Sequence, residues 1–171
     1  MAVRRQQYRD AMAQLGTAVN VITSDGPAGR YGMTASAVCS VTDDPPTLAV
    51  CVNRASQSNV VFKANGILCV NTLSASQQDV SAVFAGITKC FVEERFRVGS
   101  WTCNITGAPA LEGATVSFDC RITDLVEKGT HTVFFAEVVG VSSSRERVDG
   151  LIYFRRGYHQ VGNDAHKGLA A

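Results

Sequence analysis

Several common signatures are missing from this chain. It has no C-x-x-C pair, no G-x-G-x-x-G, no P-loop sequence and no G-x-S-x-G elbow. A redox or zinc cysteine motif, a Rossmann dinucleotide site, a phosphate-cradling P-loop and an esterase-type nucleophile therefore have no support. No apolar run approaches the ~20 residues needed to span a bilayer. The N-terminal Met-Ala-Val-Arg-Arg-Gln-Gln-Tyr-Arg-Asp lacks the apolar centre of a secretory signal, so the expectation is a cytoplasmic protein with no membrane role. Charge of neither sign is in excess: 16 Lys and Arg against 15 Asp and Glu give +1, which argues against nucleic acid as a partner. Three histidines, His131, His159 and His166, and scattered carboxylates make no metal site.

What is present is ordinary globular material. The 171 residues, 46% of them hydrophobic, suit one domain with a sizeable core, here expected over 1–161, with a small polar tail that frays over 162–171. Cys39, Cys51, Cys69 and Cys120 sit among Val, Leu and Phe, and read as reduced, buried thiols.

Periodicity supplies the elements. Tyr8, Ala11, Met12 and Leu15 predict a helix over 5–15 that stops at Gly16. Two strands, 18–23 and 30–37, flank the turn Ser24-Asp25-Gly26-Pro27-Ala28-Gly29 and predict a hairpin. Pro45-Pro46 breaks the chain before a strand over 48–52. A helix over 55–65, with Val60, Val61 and Ala64 inward, ends at Gly66. A strand over 67–73 leads to a helix over 75–86 with Val80, Val83 and Phe84 inward. Residues 87–113 read as a surface excursion with a short helix. Over 115–122, Val116, Phe118, Cys120 and Ile122 alternate with Ser117, Asp119 and Arg121. Strands over 130–141 and 151–154 complete about seven, arranged mainly as hairpins. The pattern predicts a mainly β fold, an antiparallel Greek-key barrel with flanking helices.

Three segments carry candidate chemistry. Thr34, Ser36, Ser40 and Thr42 recur at every second residue, which aligns their hydroxyls on one face of an extended chain. That face is either a solvated strand face or a row of donors along a ligand. Ser56 precedes a helix and suits an N-cap; with Asn53, Arg54 and Ser58 it equally suits a phosphate. His131, in Gly129-Thr130-His131, and His159, in Tyr158-His159, each fit a structural role as well as a chemical one. No serine or cysteine is placed to pair them into a hydrolase triad.

Taken together, Gly32-Met33-Thr34-Ala35-Ser36-Ala37, Asp44-Pro45-Pro46, Cys51-Val52-Asn53 with Ser56 and Ser58, Phe84-Ala85-Gly86, Gly129-Thr130-His131, and Leu151-Ile152-Tyr153-Phe154 with Tyr158-His159 occur in that order. This set resembles the short-chain flavin reductases of two-component flavin-dependent monooxygenases. The nearest types are the 4-hydroxyphenylacetate 3-monooxygenase reductase component and the pyrimidine-utilisation flavin reductase. The likeness covers roughly residues 7–161 and is weakest over 87–113. It implies a flavin-binding split barrel, usually a homodimer with the flavin near the subunit interface. It implies hydride transfer from NADH to FMN or FAD, and release of reduced flavin to a partner monooxygenase. By position, Thr34, Ala35 and Ser36 would follow the flavin ring and ribityl chain. Asn53, Ser56 and Ser58 would hold the phosphate, and Phe84 would border the pocket. His131, Tyr158 and His159 would serve the nicotinamide side, His131 by positioning that ring. Such chemistry belongs to the cofactors and needs no protein nucleophile. Two alternatives share the architecture: a flavin-binding protein without turnover, and an FMN-dependent amine oxidase.

Overall fold

The computed structural model describes residues 2–144 and 147–162. The chain runs through α1 (Arg5–Met12), β1 (Thr17–Ala18), β2 (Asn20–Ser24), β3 (Tyr31–Ala35), β4 (Val38–Asp43), β5 (Pro46–Asn53) and α2 (Gln57–Asn65). It continues through β6 (Ile67–Thr72), a 3-10 turn (Ala75–Gln77), α3 (Gln78–Phe84), α4 (Val92–Arg95), β7 (Trp101–Cys103) and β8 (Pro109–Leu111). β9 (Val116–Lys128), β10 (His131–Ser143), β11 (Gly150–Phe154) and β12 (Gly157–Val161) complete it.

Seven strands form one antiparallel sheet in the order β3-β2-β6-β9-β10-β5-β4. Its centre is the long hairpin of β9 and β10, paired from Lys128↔His131 to Val116↔Ser143. Irregularities near Phe135/Ala136 and Val138/Gly140 interrupt that ladder, and such bulges increase local twist. The sheet curls until Ile22, Val50, Leu68, Val70, Cys120 and Phe134 share one interior, plugged by Phe62 of α2. Phe62 and Phe134 meet edge to face with centroids 6.5 Å apart, a contact that contributes ~0.5–1.5 kcal/mol beyond burial. A smaller sheet, β1-β11-β12, packs alongside. The predicted antiparallel split barrel with flanking helices is the fold observed.

The β2–β3 hairpin forms as its turn residues suggest, from Ser24↔Tyr31 to Asn20↔Ala35. α2 ends at Gly66, whose φ of 68° lies in the left-handed region that a Cβ disfavours. Other expectations change. The first helix stops at Met12 rather than near Gly16, and Tyr8, Met12 and Leu15 are exposed. The strand over 18–23 is split at Val19, which bonds to Leu151 and Leu73 and leaves β1 in the smaller sheet. On α2 the inward side chains are Ser58, Asn59, Val61 and Phe62, and Val60 faces solvent.

The 87–113 segment is more than a surface excursion. Its β7–β8 hairpin lays Ala108, Ala110 and Leu111 against the sheet. That cover buries Ser117 and Asp119, the polar side of the β9 alternation. Asp119 accepts from the Thr106 amide at 2.8 Å and from its hydroxyl, so the buried carboxylate is satisfied. Asn71 accepts from the Leu111 amide and the Ser117 hydroxyl, each at 2.8 Å, and donates to Val21 O.

All six cysteines are free. Burial pushes the Cys120 thiol up to about 12 and the Cys69 thiol higher still. Cys51 is half-buried and Cys39 is exposed, so the thiol predicted to be buried at 39 is not. β12 was not apparent in the sequence. The 162–171 tail, apart from Gly162, lies outside the described residues, as does His166.

Candidate active site

The site begins where β3 ends. After Ala35 the chain turns through Ser36 and Ala37 into β4, with Val38 N bonding Ser36 O and Cys51 N bonding Ala37 O. The hydroxyl row of Thr34, Ser36, Ser40 and Thr42 is therefore not one extended face. Thr34 lies half-buried on β3, whereas Ser40 and Thr42 are exposed on β4, across a register irregularity. Thr42 serves its own turn, accepting from the Asp44 amide at 3.2 Å.

Thr34 Oγ1 donates to the Ser81 carbonyl at 2.7 Å. The Ser81 hydroxyl lies 2.8 Å from the Tyr158 hydroxyl. One fully buried serine on α3 thus ties a β3 side chain to a β12 side chain. Behind them Phe84 packs within a ring cluster, 5.1 Å from Phe96 and 5.4 Å from Trp101. Gly32 permits this: a Cβ there would lie 2.6 Å from the Phe84 ring. The result is a cavity of about 310 Å³ lined by Thr34, Ala35, Ser36, Ala85, Ile87, Val19, Tyr153 and Tyr158.

A second feature flanks α2. Asn53, Arg54, Ala55, Asn59, Val60, Lys63, Ala64, Glu127, Gly129 and Thr130 line a groove of about 740 Å³. Asn53 Oδ1 accepts from the Ala55 amide at 2.9 Å. Ser56 occupies the N-cap position, but its hydroxyl donates to Asn53 O at 2.7 Å and caps no helix amide. Arg54 and Lys63 both reach Glu127, at 2.8 and 2.6 Å. The Lys63 hydrogen bond, with both positive charges, holds the Glu127 carboxyl below its ordinary range.

The candidate residues fall into groups. Thr34, Ala35, Ser36 and Tyr158 meet around the cavity, with Phe84 behind it. Asn53 and Ser56 are hydrogen-bonded neighbours, and His131 is the ladder partner of Asn53. His131 is exposed, with Nδ1 2.9 Å from Thr130 Oγ1, and does not line the cavity that Tyr158 lines. Ser58 is buried on the inner side of α2, away from the groove lining. His159 stands on the opposite side of β12 from Tyr158, 3.2 Å from Phe154 O. The sequence reasoning missed Ser81, Tyr153, Lys63 and Glu127. Ser81 had one signal: a hydroxyl beside Val80 and three residues before Phe84, on an otherwise apolar helix side. Among the described residues no three His, Cys, Asp or Glu side chains converge.

A barrel of this shape, with a hydroxyl-and-aromatic cavity at the end of β3, defines a class. Residues 12–162 match the family described as flavin reductase like domain, and the chain belongs to that family. Within it the chain is 57% identical, over 94% of its length and 87% of the relative's, to FMN reductase (NADH) RutF of Ancylobacter novellus. It is 51% identical to the 4-hydroxyphenylacetate 3-monooxygenase reductase component of Pseudomonas aeruginosa, over 92% of each chain. A solved structure of the Streptomyces globisporus NADH:FAD oxidoreductase, in complex with NAD and FAD fragments, superposes with a TM-score of 0.85 at 27% identity. It covers 96% of this chain and 99% of that one. The chain is a flavin oxidoreductase, which sets aside a binding protein without turnover.

Proposed function

We propose that this enzyme takes hydride from NADH, delivers it to FMN or FAD, and releases the reduced flavin to a separate monooxygenase. The observation that carries the reading is the cavity between Thr34–Ser36 and Tyr158. Hydroxyls on one wall and a phenol on the other suit a flat ring with polar edges, and its volume falls in the ~300–1,000 Å³ range of small-molecule sites. The bound flavin and nicotinamide supply the redox chemistry. The protein's task is to hold two rings within about 3–3.5 Å in an aligned arrangement.

In this reading Thr34, Ala35 and Ser36 follow the flavin ring and ribityl chain, and Phe84 stiffens the wall behind. Asn53 and Ser56 hold the phosphate at the start of α2, a role that the buried Ser58 side chain does not share in this conformation. The Ser56 hydroxyl caps no α2 amide, and although the Asn59 amide bonds Ser56 O, those of Gln57 and Ser58 are left for an anion. Tyr158 serves the nicotinamide side, together with His131; His159, on the opposite side of β12, does not share that wall within one chain. One chain keeps His131 apart from Tyr158, and a homodimer with its site near the interface would allow two chains to complete it. Exposed Val41 on β4, Val126 on β9 and Val141 on β10 offer apolar surface for that interface. The family match over 12–162 supports one domain spanning 1–161. Cytoplasmic residence accords with the absence, among the described residues, of any helix long and apolar enough to cross a membrane.

The test follows loss of reduced nicotinamide absorbance with and without added flavin. Oxidation is expected only when FMN or FAD is present, with flavin turning over many times per enzyme. Absence of flavin-dependent oxidation would refute the reading.

A further inference from the structure

Between α3 and α4 the chain carries two large apolar side chains that nothing covers. Ile87 is 66% exposed although it lines the cavity at Thr34–Tyr158. Phe91, outside that lining, is 79% exposed, more than any other large apolar side chain of the described residues. Both sit on a short segment fixed at its two ends. At the near end α3 closes on Gly86, whose φ is 77°, with the Gly86 amide donating to Val83 O at 3.1 Å and the Ile87 amide to Ala82 O at 3.2 Å. At the far end the Glu94 carboxylate accepts from the Phe91 amide at 3.0 Å. The end of α4 is also clasped to the start of β3 by reciprocal stacking, Arg95 over the Tyr31 ring at 5.8 Å and Arg30 over the Phe96 ring at 5.4 Å. Between these ends the hydrogen bonds stay local: the Lys89 amide donates to Gly86 O at 3.3 Å, and the Thr88 hydroxyl lies 3.2 Å from the Cys90 thiol. Lys89 has a φ of 53°, a left-handed backbone that a side chain disfavours. Few buried contacts and only local hydrogen bonds mark a segment that opens and closes at low free energy.

We propose that residues 86–91 form a strap that closes on a ring bound in the cavity, with Ile87 covering the ring's open edge and Phe91 packing onto Ile87 from outside. Gly86 is the near hinge. At the far hinge the Phe91 amide stays on Glu94 while its side chain rotates inward. Closure takes two apolar side chains out of water, which offsets the entropy lost in ordering the strap. The closed strap keeps water from the hydride transfer, and its reopening lets the reduced ring leave. The inference rests on the flavin reading for the identity of the ring. Flavin binding and strap movement are measured separately, so a failure of one is distinguishable from a failure of the other.

The experiment reads amide hydrogen exchange over 86–91 by mass spectrometry, with and without saturating FMN, and the FMN dissociation rate by stopped-flow flavin fluorescence. The unsubstituted protein is compared with Ile87→Ser and Phe91→Ser. Both positions are exposed, and equal thermal melting of the ligand-free proteins confirms that the variants fold. In the unsubstituted protein FMN should slow exchange across the strap about tenfold. Each variant should release FMN roughly five- to tenfold faster and lose most of that protection. Phe91 is the discriminating position, because it does not line the cavity in this structure: a fixed wall would respond at Ile87 alone. FMN that binds without slowing exchange over 86–91, or a Phe91→Ser protein that releases FMN at the unsubstituted rate, would overturn the strap. A protein that binds no FMN and oxidises no NADH would refute the reductase reading, and the strap would fall with it.

Discussion

Thr34 and Tyr158 are each hydrogen-bonded to the same buried residue, Ser81, and are backed by the rings of Phe84, Phe96 and Trp101. Arg54 and Lys63, by contrast, are held by one carboxylate at the surface. The first region fixes directions before any ligand arrives. The second fixes charge but little geometry, because exposed ion pairs are worth only ~0–1 kcal/mol and rearrange readily. A reaction that depends on ring alignment suits the rigid region. Under the proposed function, a ligand that must later leave would suit the loose one.

The largest effect expected from this contrast is on stability. Phe84 is 2% exposed, and Phe84→Ala should cost about 3–5 kcal/mol. For a chain of this size that lowers Tm by on the order of ten degrees. Val60→Ala, on the groove side, should stay within about 0.5 kcal/mol. Equal losses in calorimetric melting would erase the contrast. Next comes Ser81→Ala. It removes the hydroxyl that fixes Tyr158 and keeps the carbonyl that fixes Thr34, so the expected loss is about 1 kcal/mol. Catalytic efficiency with NADH should fall several-fold, and Tyr158→Phe should add little to it in a double-mutant cycle. Additive losses would show that the two hydroxyls act separately. The smallest change should be a gain. Thr132, behind the groove on the inner side of β10, is fully buried, and its hydroxyl has no hydrogen-bond partner among the described residues. Thr132→Val keeps the shape and removes the unpaired group, so stability should hold or rise by up to about 1 kcal/mol, read from denaturant midpoints. A clear loss would mean that this hydroxyl is satisfied in solution.

The sequence showed most of the barrel where local chemistry and tertiary packing agree. The Gly- and Pro-rich turn before Tyr31, the left-handed position of Gly66, and the spacing of Val80, Val83 and Phe84 each dictate their own element. It failed where a distant segment decides. Ser117 and Asp119 look solvated because their partners, Asn71 and Thr106, come from other parts of the chain. β7 and β8 are three residues each, too short for any periodicity to register. Val60 was placed inward because it is apolar, yet the face of α2 that meets the core is the one carrying Ser58 and Phe62. The site divides in the same way. Thr34 and Ser36 stand out by hydroxyl spacing, though that spacing leaves a solvated strand face equally open; Ala35 and Tyr158 are legible only through resemblance to a family. Ser81, which joins Thr34 to Tyr158, was hidden because a serine in a helix carries no mark of what it will touch.

Trp101 is the sole tryptophan of the chain. Its indole N–H is anchored to Val98 O at 3.0 Å, and its ring abuts Phe84, which backs the cavity at Thr34–Tyr158. Tryptophan emission overlaps flavin absorption, so an isoalloxazine seated in front of Phe84 would quench this single fluorophore by energy transfer. The packing that stiffens the wall therefore also installs an optical gauge of occupancy, by which flavin arrival and departure could be followed in unlabelled protein.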